Sequence, residues 1–149
     1  MVDVPLFDAR CATRFALKQF GRILERATDV NIRGPRGRTA LFLAARSDRL
    51  GHISLLLQKG ADPNLADESD EAPLQVASRH GHLECVNQLL RAGVNIDRCP
   101  DPSKTGYSET ALCSAISHRF DIVAERLLEC GANPNAISSA RKYALHAAA

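Results

Sequence analysis

The sequence predicts an all-α solenoid, in which short helix-turn-helix units joined by β-hairpin loops stack side by side. Three observations carry this reading. Similar segments recur at near-constant spacing along the 149 residues. Their apolar residues follow the period of a helix rather than a strand. Each complete unit ends in a glycine followed by turn-forming residues. The unit starts are Thr39-Ala-Leu-Phe-Leu-Ala-Ala45, Ala72-Pro-Leu-Gln-Val-Ala-Ser78, Thr110-Ala-Leu-Cys-Ser-Ala-Ile116 and Tyr143-Ala-Leu-His-Ala-Ala-Ala149. The unit ends are Leu55-Leu-Leu-Gln-Lys-Gly60-Ala-Asp-Pro-Asn64, Leu89-Leu-Arg-Ala-Gly93-Val-Asn-Ile-Asp97 and Leu127-Leu-Glu-Cys-Gly131-Ala-Asn-Pro-Asn135. Successive starts lie 33, 38 and 33 residues apart, and each glycine follows its start by 21.

Residues 1–38 read as an N-terminal capping half-repeat and first hairpin. Cys11 to Phe20 offers an apolar helical face flanked by Arg14 and Lys18, and Leu24 to Asn31 matches the later unit ends. The first full unit, 39–71, opens with Thr39 as helix N-cap. Leu41, Ala44 and Ala45 fall on one face, and a second helix is expected from about Ile53 to Lys59. The second unit, 72–109, has Pro73 where a first-turn proline is tolerated and a second helix over Leu83 to Arg91. Its closing loop is five residues longer than the others and contains Cys99-Pro-Asp-Pro-Ser-Lys-Thr-Gly-Tyr107. Two prolines and a glycine predict an extended, exposed finger there rather than added helix. The third unit, 110–142, starts at Thr110, with its second helix from Ile122 to Glu129. Residues 143–149 read as the start of a truncated repeat, so the chain is expected to be a piece of a longer array. Gly60, Gly93 and Gly131 are placed as left-handed helix caps. The hairpin glycine appears as Gly37 but is replaced by Asp70, Ser108 and Arg141, which predicts altered turns with Asp70 the least strained.

Composition excludes several classes. A balance of 19 Lys+Arg against 17 Asp+Glu is neither that of a strongly basic nucleic-acid binder nor that of an acidic disordered tail. No apolar run reaches the roughly 18–20 residues of a membrane span, so no membrane association is expected. The five cysteines lack CxxC spacing and suit reduced thiols in a cytoplasmic protein, the nucleus being open to it as well. Cys85 and Cys113 read as packing residues and Cys99 as exposed.

No catalytic constellation is present, so the chain does not read as an enzyme, and no cofactor or small-molecule substrate is expected. Gly34-Pro-Arg-Gly37 is a hairpin turn rather than a phosphate loop. His80-Gly-His82 has no carboxylate or thiol at ligand spacing, so no metal site is expected.

These segments resemble the ankyrin repeat, a 33-residue unit with a T-P-L-H-x-A-A start, a G-H-x-E-x-V middle and an L-L-x-x-G-A-D-x-N end. The second unit is the nearest, with Ala72-Pro-Leu, Gly81-His-Leu-Glu-Cys-Val86 and Leu89-Leu-Arg-Ala-Gly93. The start-motif histidine becomes Phe42, Gln75 and Cys113 and survives only as His146. The resemblance implies a non-catalytic protein–protein interaction module, with another protein or peptide segment meeting the hairpin tips and the concave side of the first helices. Carried over by position, that footprint is Arg36, Arg38, Glu68, Glu71, Tyr107 and Glu109 at the tips, continued by Lys142. Arg46, Arg79, His80 and His118, with Ser47 and Ser117, complete it at the ends of the first helices. Asn64 and Asn135 lie in hairpins resembling those that asparaginyl hydroxylases modify.

Gly81-His-Leu-Glu-Cys-Val-Asn87, with Gly93-Val-Asn-Ile-Asp97 and His146-Ala-Ala, is similar to repeats of the SOCS-box ankyrin family. Its members act as substrate receptors of cullin ubiquitin ligases; no SOCS box lies within these residues. A scaffold or inhibitor in a signalling or transcription pathway fits equally, as does a regulatory domain of a larger enzyme.

Charge is striped along the repeats. Residues 1–38 carry eight Lys/Arg against four Asp/Glu, residues 39–97 five against eight, and residues 98–149 six against five. The first hairpin is basic (Arg33, Arg36, Arg38) and the second acidic (Asp67, Glu68, Asp70, Glu71). Adjacent arms of opposite sign are expected either to attract one another, at up to about 1 kcal/mol per exposed pair, or to set the register of a partner. Nucleic acid is not the expected ligand and would need all three arginines of the first hairpin.

Overall fold

The computed structural model describes residue 22 and residues 25–105 and 109–136. The capping segment up to Gly21, the tip residue Tyr107 and its two neighbours, Lys142 and the unit opening at Tyr143 lie outside the described residues.

The described helices alternate in length as the repeat requires. They are α1 (Ala40–Arg46), α2 (Leu50–Gln58), α3 (Pro73–Arg79), α4 (Leu83–Arg91), α5 (Pro102–Thr105), α6 (Ala111–Ser117) and α7 (Asp121–Glu129). The first helices α1, α3 and α6 pack against one another as an inner row, and α2, α4 and α7 form an outer row behind them. No strand occurs among the described residues. The first two expected β-hairpins are therefore tight turns, spanned by Gly34 N–H to Arg38 O and Asp67 N–H to Glu71 O, both 2.9 Å, with Gly37 N–H to Gly34 O and Asp70 N–H to Asp67 O inside them.

Helix starts follow the sequence. Thr39 Oγ1 accepts the Phe42 amide at 3.2 Å and Thr110 Oγ1 the Cys113 amide at 3.3 Å. Ala72 has no hydroxyl, so Gln75 turns back and accepts the Ala72 amide at 2.8 Å. Its Nε2 then donates to Arg98 O (3.3 Å) and Glu109 O (3.0 Å). A side chain that replaces the motif histidine thus ties the second hairpin to the third.

Helix ends depend on left-handed residues. Gly60 has φ +85°, and the Gly60 and Ala61 amides donate to Leu57 O and Leu56 O, a doubly bonded cap repeated at Gly131 and Ala132. The turns within units reuse this geometry with Asp48 (φ 55°), Gly81 (φ 72°) and Arg119 (φ 62°). Only Gly81 is obligatory on contact grounds: a Cβ there would come within 2.4 Å of the Phe120 ring.

Three expectations need correction. α2 begins at Leu50, three residues ahead of Ile53, because Gly51 and His52 continue the helix despite the intrinsic cost of glycine. The inserted segment is not wholly extended. Asp101 accepts the Ser103 amide on Oδ1 and the Lys104 amide on its carbonyl, and Pro102 is preset for a first turn, so α5 forms. Asp70 does not alter its turn: it holds φ 58°, and its amide donates to Asp67 O at 2.9 Å.

The core is laid down in register. Leu41, Leu74 and Leu112 are 1–3% exposed and line the inner row with Ala44, Ala77 and Ala115. Leu56, Leu89 and Leu127 are completely buried at equivalent outer positions. Cys85 and Cys113 are buried and Cys99 exposed as expected, but Cys130 is exposed as well, at the C-terminal end of α7. Ser78, where the first unit has Ala45, is completely buried and its hydroxyl finds no partner.

Two stability effects follow. Leu56→Ala should cost about 2–5 kcal/mol in equilibrium denaturant unfolding, because neither adjoining unit can close the cavity; a silent substitution would contradict this packing. Ser78→Ala should raise stability by about 1 kcal/mol by removing an unpaired buried hydroxyl, and a loss on the same measurement would show that the hydroxyl has a partner.

Candidate functional site

The hairpin edge is held together by polar groups of neighbouring units. The Asp62 amide donates to Asn31 Oδ1 (2.7 Å), the Asn95 amide to Asn64 Oδ1 (2.8 Å) and the Asn133 amide to Asp97 Oδ1 (2.8 Å). One side chain per unit therefore satisfies a backbone amide of the next. Asn64, singled out as resembling a hydroxylation position, is one rung of this ladder, and Asn135 occupies the matching position two units later, after Asp97.

At the hairpins the charge stripes meet. Asp67, 7% exposed, accepts the Ser69 and Glu71 amides (2.9 and 3.1 Å) and Arg38 Nε (3.4 Å). Arg38 also lies over the Phe42 ring, 5.2 Å from its centroid. Arg33 donates to Ala66 O (2.7 Å), and the Glu68 amide donates to Arg36 O (3.0 Å). Arg98 and Asp70 form an ion pair, and Asp70 also accepts the Asp101 amide at 2.8 Å. The attraction expected between arms of opposite sign is thus present as named contacts. Arg33 and Arg38 thus both bond within the fold, Arg33 remaining exposed.

The expected footprint divides accordingly. Arg36 and Glu68 are exposed at the tips, and Arg46 and His118 at the ends of α1 and α6. His80 is exposed at the end of α3 and donates Nδ1–H to Val76 O (2.9 Å), as His118 does to Ser114 O (2.8 Å). Each ring is thereby pinned to its helix end through Nδ1. Four footprint residues are engaged inside the fold instead. Arg38 is bound as above, and Glu71 pairs with Arg79. The Glu109 carboxylate accepts from Ser114 Oγ at 3.1 Å, and its carbonyl accepts from Gln75. Tyr107 lies outside the described residues.

Sequence reading missed a cluster between the first two units. Asp48 Oδ1 accepts the Cys85 thiol at 3.0 Å, and its Oδ2 lies 4.0 Å from His82 Nδ1. His82 Nε2–H donates to Arg46 O at 3.1 Å, and His80 stacks on His82 with ring centroids 5.7 Å apart. The Asp48 carboxylate, which holds the Cys85 thiol on its other oxygen, thus approaches this histidine in space although it belongs to the preceding unit. Burial, reinforced by Asp48, pushes the Cys85 thiol far above its ordinary range, which suits a packed donor rather than a nucleophile. Among the described residues no group of three or more His, Cys, Asp or Glu is arranged to hold a metal ion. Between the second and third units the same junction is apolar. Gly81, Leu83, Phe120, Ile122 and Val123 line an open groove of about 320 Å³, flanked by Arg119 and Asp121.

The profile described as "Ankyrin repeats" matches residues 10–99, in three copies. The chain belongs to the ankyrin-repeat family. "Ankyrin repeat domain-containing protein 63" of Homo sapiens is 34% identical over 122 residues, which cover 79% of this chain and 30% of that protein. "Ankyrin repeat and SOCS box protein 3" of Bos taurus is 35% identical over 94 residues, 63% of this chain and 18% of that protein. "Probable E3 ubiquitin-protein ligase XBOS31" of Oryza sativa subsp. japonica is 41% identical over 58 residues, 39% and 13% of the two chains. The chain spans less than a third of the length of each of these relatives. Ankyrin repeats are protein-interaction modules and generally non-catalytic. No helix among the described residues is long and apolar enough to cross a membrane.

Glu71 supplies a test of the ankyrin hairpin. Burial raises its pKa above the ordinary 4.5, partly offset by Arg79. A folded pKa above the unfolded one means that this group favours folding at low pH, and the advantage is lost as pH rises through the folded pKa. Glu71→Gln should therefore flatten the fall in Tm between about pH 4.5 and neutrality. An unchanged slope in thermal melts would show that Glu71 titrates normally.

Proposed function

We propose that this ankyrin-repeat chain is a recognition module that presents its hairpin tips and the exposed ends of its inner helices to a partner protein. One observation carries the reading. Arg36, Glu68, Arg46, His80 and His118 stand exposed at corresponding edges of successive units, while Arg38, Asp67, Asp70 and Glu71 are used to fix the hairpins. The exposed groups are thus held on a rigid frame, which lowers the ordering cost of binding. A stable complex on such a face would bury on the order of 1,200–2,000 Å² in total. Tyr107 on the inserted segment extends the same edge in sequence and is proposed as an aromatic anchor. A cytoplasmic or nuclear setting suits the buried thiols of Cys85 and Cys113.

A narrower reading makes the module the substrate-recognition part of a cullin ubiquitin ligase. It is supported by the similarity to a SOCS-box protein and to a protein named as a probable ubiquitin ligase. In that case the chain selects the substrate, and the chemistry belongs to other components.

The test is a combined Arg36→Glu, Arg46→Glu and His80→Ala variant. It should weaken a partner captured from the native cell by tenfold or more, about 1.4 kcal/mol, with Tm within about 2 °C of the parent. Undiminished affinity in the folded variant would remove this footprint. Arg38 is unsuitable for the purpose because reversing it would also break its contacts with Asp67 and Phe42.

A further inference from the structure

The two described junctions between units use the same backbone positions but are filled differently. At the first, the Asp48 side chain reaches across to the Cys85 thiol and toward His82. At the second, Gly81 has no side chain to reach with, Phe120 stands in for His82 and Val123 for Cys85. The space that Asp48 bridges in one junction is left apolar and open in the other, as a groove of about 320 Å³. That volume lies within the range of sites that take a ligand group, roughly 300–1,000 Å³.

Ile122 forms one lip of the groove. It is 67% exposed, more than any other large apolar side chain among the described residues, and is the second residue of α7. The equivalent residue of α4 is Glu84, and a carboxylate is what the first turn of a helix favours. Isoleucine gains nothing from the helix there and holds apolar surface in water beside an apolar groove.

Charge is sorted across the same junction. Arg46, His80, His118 and Arg119 stand exposed at the ends of the inner helices or just beyond them. The outer helices α4 and α7 instead begin with Glu84 and Asp121. Arg119 and Asp121 flank the groove itself, and among the described residues neither forms an ion pair.

We infer that this groove docks a short peptide segment of a partner protein, with one bulky apolar residue between an acidic and a basic one. The apolar side chain packs against Phe120 and Ile122, the acidic residue meets Arg119, and the basic residue meets Asp121. Burial of the apolar group supplies the affinity, and the two charges fix the direction in which the segment crosses from inner to outer row. A groove open to solvent and flanked by both signs of charge suits a side chain carried on a peptide better than a free apolar molecule. The interhelical turns lie at the end of each unit away from the hairpins, so this surface goes beyond the hairpin tips and can be tested apart from them.

The test selects short random peptides displayed on phage against the 149-residue chain and measures the enriched ones by fluorescence polarisation. They should share an apolar residue flanked by opposite charges. Ile122→Glu, which installs the residue type of Glu84, should weaken them at least tenfold and leave Tm within about 1 °C. Arg119→Asn keeps a residue that tolerates the left-handed turn. It should weaken the peptide roughly fivefold, and neutralising the peptide's acidic residue as well should add no further loss. Failure to enrich any peptide, full binding to the Ile122→Glu chain, or additive losses with Arg119→Asn would each overturn the inference. Peptides lost on Arg36→Glu but kept on Ile122→Glu would also overturn it, and would assign the binding to the hairpin tips instead.

Discussion

Each unit has an apolar face that it cannot cover by itself, and everything else in the fold follows from this. The alanines at 44, 77 and 115 have almost no surface left, because small side chains let inner helices approach closely. The leucines at 56, 89 and 127 then fill the space between the rows. A unit is therefore stable only as a neighbour, and a cavity opened in one is shared with the next.

The hairpin edge faces the opposite problem. Its backbone amides have no strand ladder among the described residues to receive them, so side chains must take their place. Asn31, Asn64 and Asp97 each accept an amide of the next unit, and Asp67 alone accepts two amides and an arginine. The three ladder bonds lie at the exposed edge, whereas the amides on Asp67 are partly buried, where leaving one unpaired would cost more than a single bond returns. Much of the charge striping along the sequence has this origin. What remains exposed is a smaller set, and that set is what a partner can read.

The repeat register, the glycine caps and the buried leucines were legible because each follows from spacing and residue type alone. Other features depend on contacts that spacing does not encode. Asp48 and Arg119 adopt the left-handed turn in place of glycine, held by the 6→1 bonds from Arg49 to Ala44 and from Phe120 to Ala115. The turn at Pro102 forms because Asp101 happens to cap it, a bond no proline count would reveal. Arg38, Glu71, Arg79 and Glu109 looked like surface charges in sequence, yet each found its partner on its own unit or the next. Residue type identified the candidates for the site. Only three-dimensional neighbours separated those that hold the frame from those that face outward.

The two described junctions show how much freedom that frame leaves. Between the first and second units a carboxylate, a thiol and an imidazole meet across the left-handed turn at Asp48. Between the second and third, the Phe120 ring lies directly over Gly81, and the groove beside it is apolar. Backbone geometry is the same in both, since Asp48, Gly81 and Arg119 share their φ region. The chemistry is opposite. A junction needs only a left-handed residue and a side chain to lie across it, so its polarity can change without moving the helices. Surface character is thereby uncoupled from stability along the stack, and one architecture can present different faces to different partners.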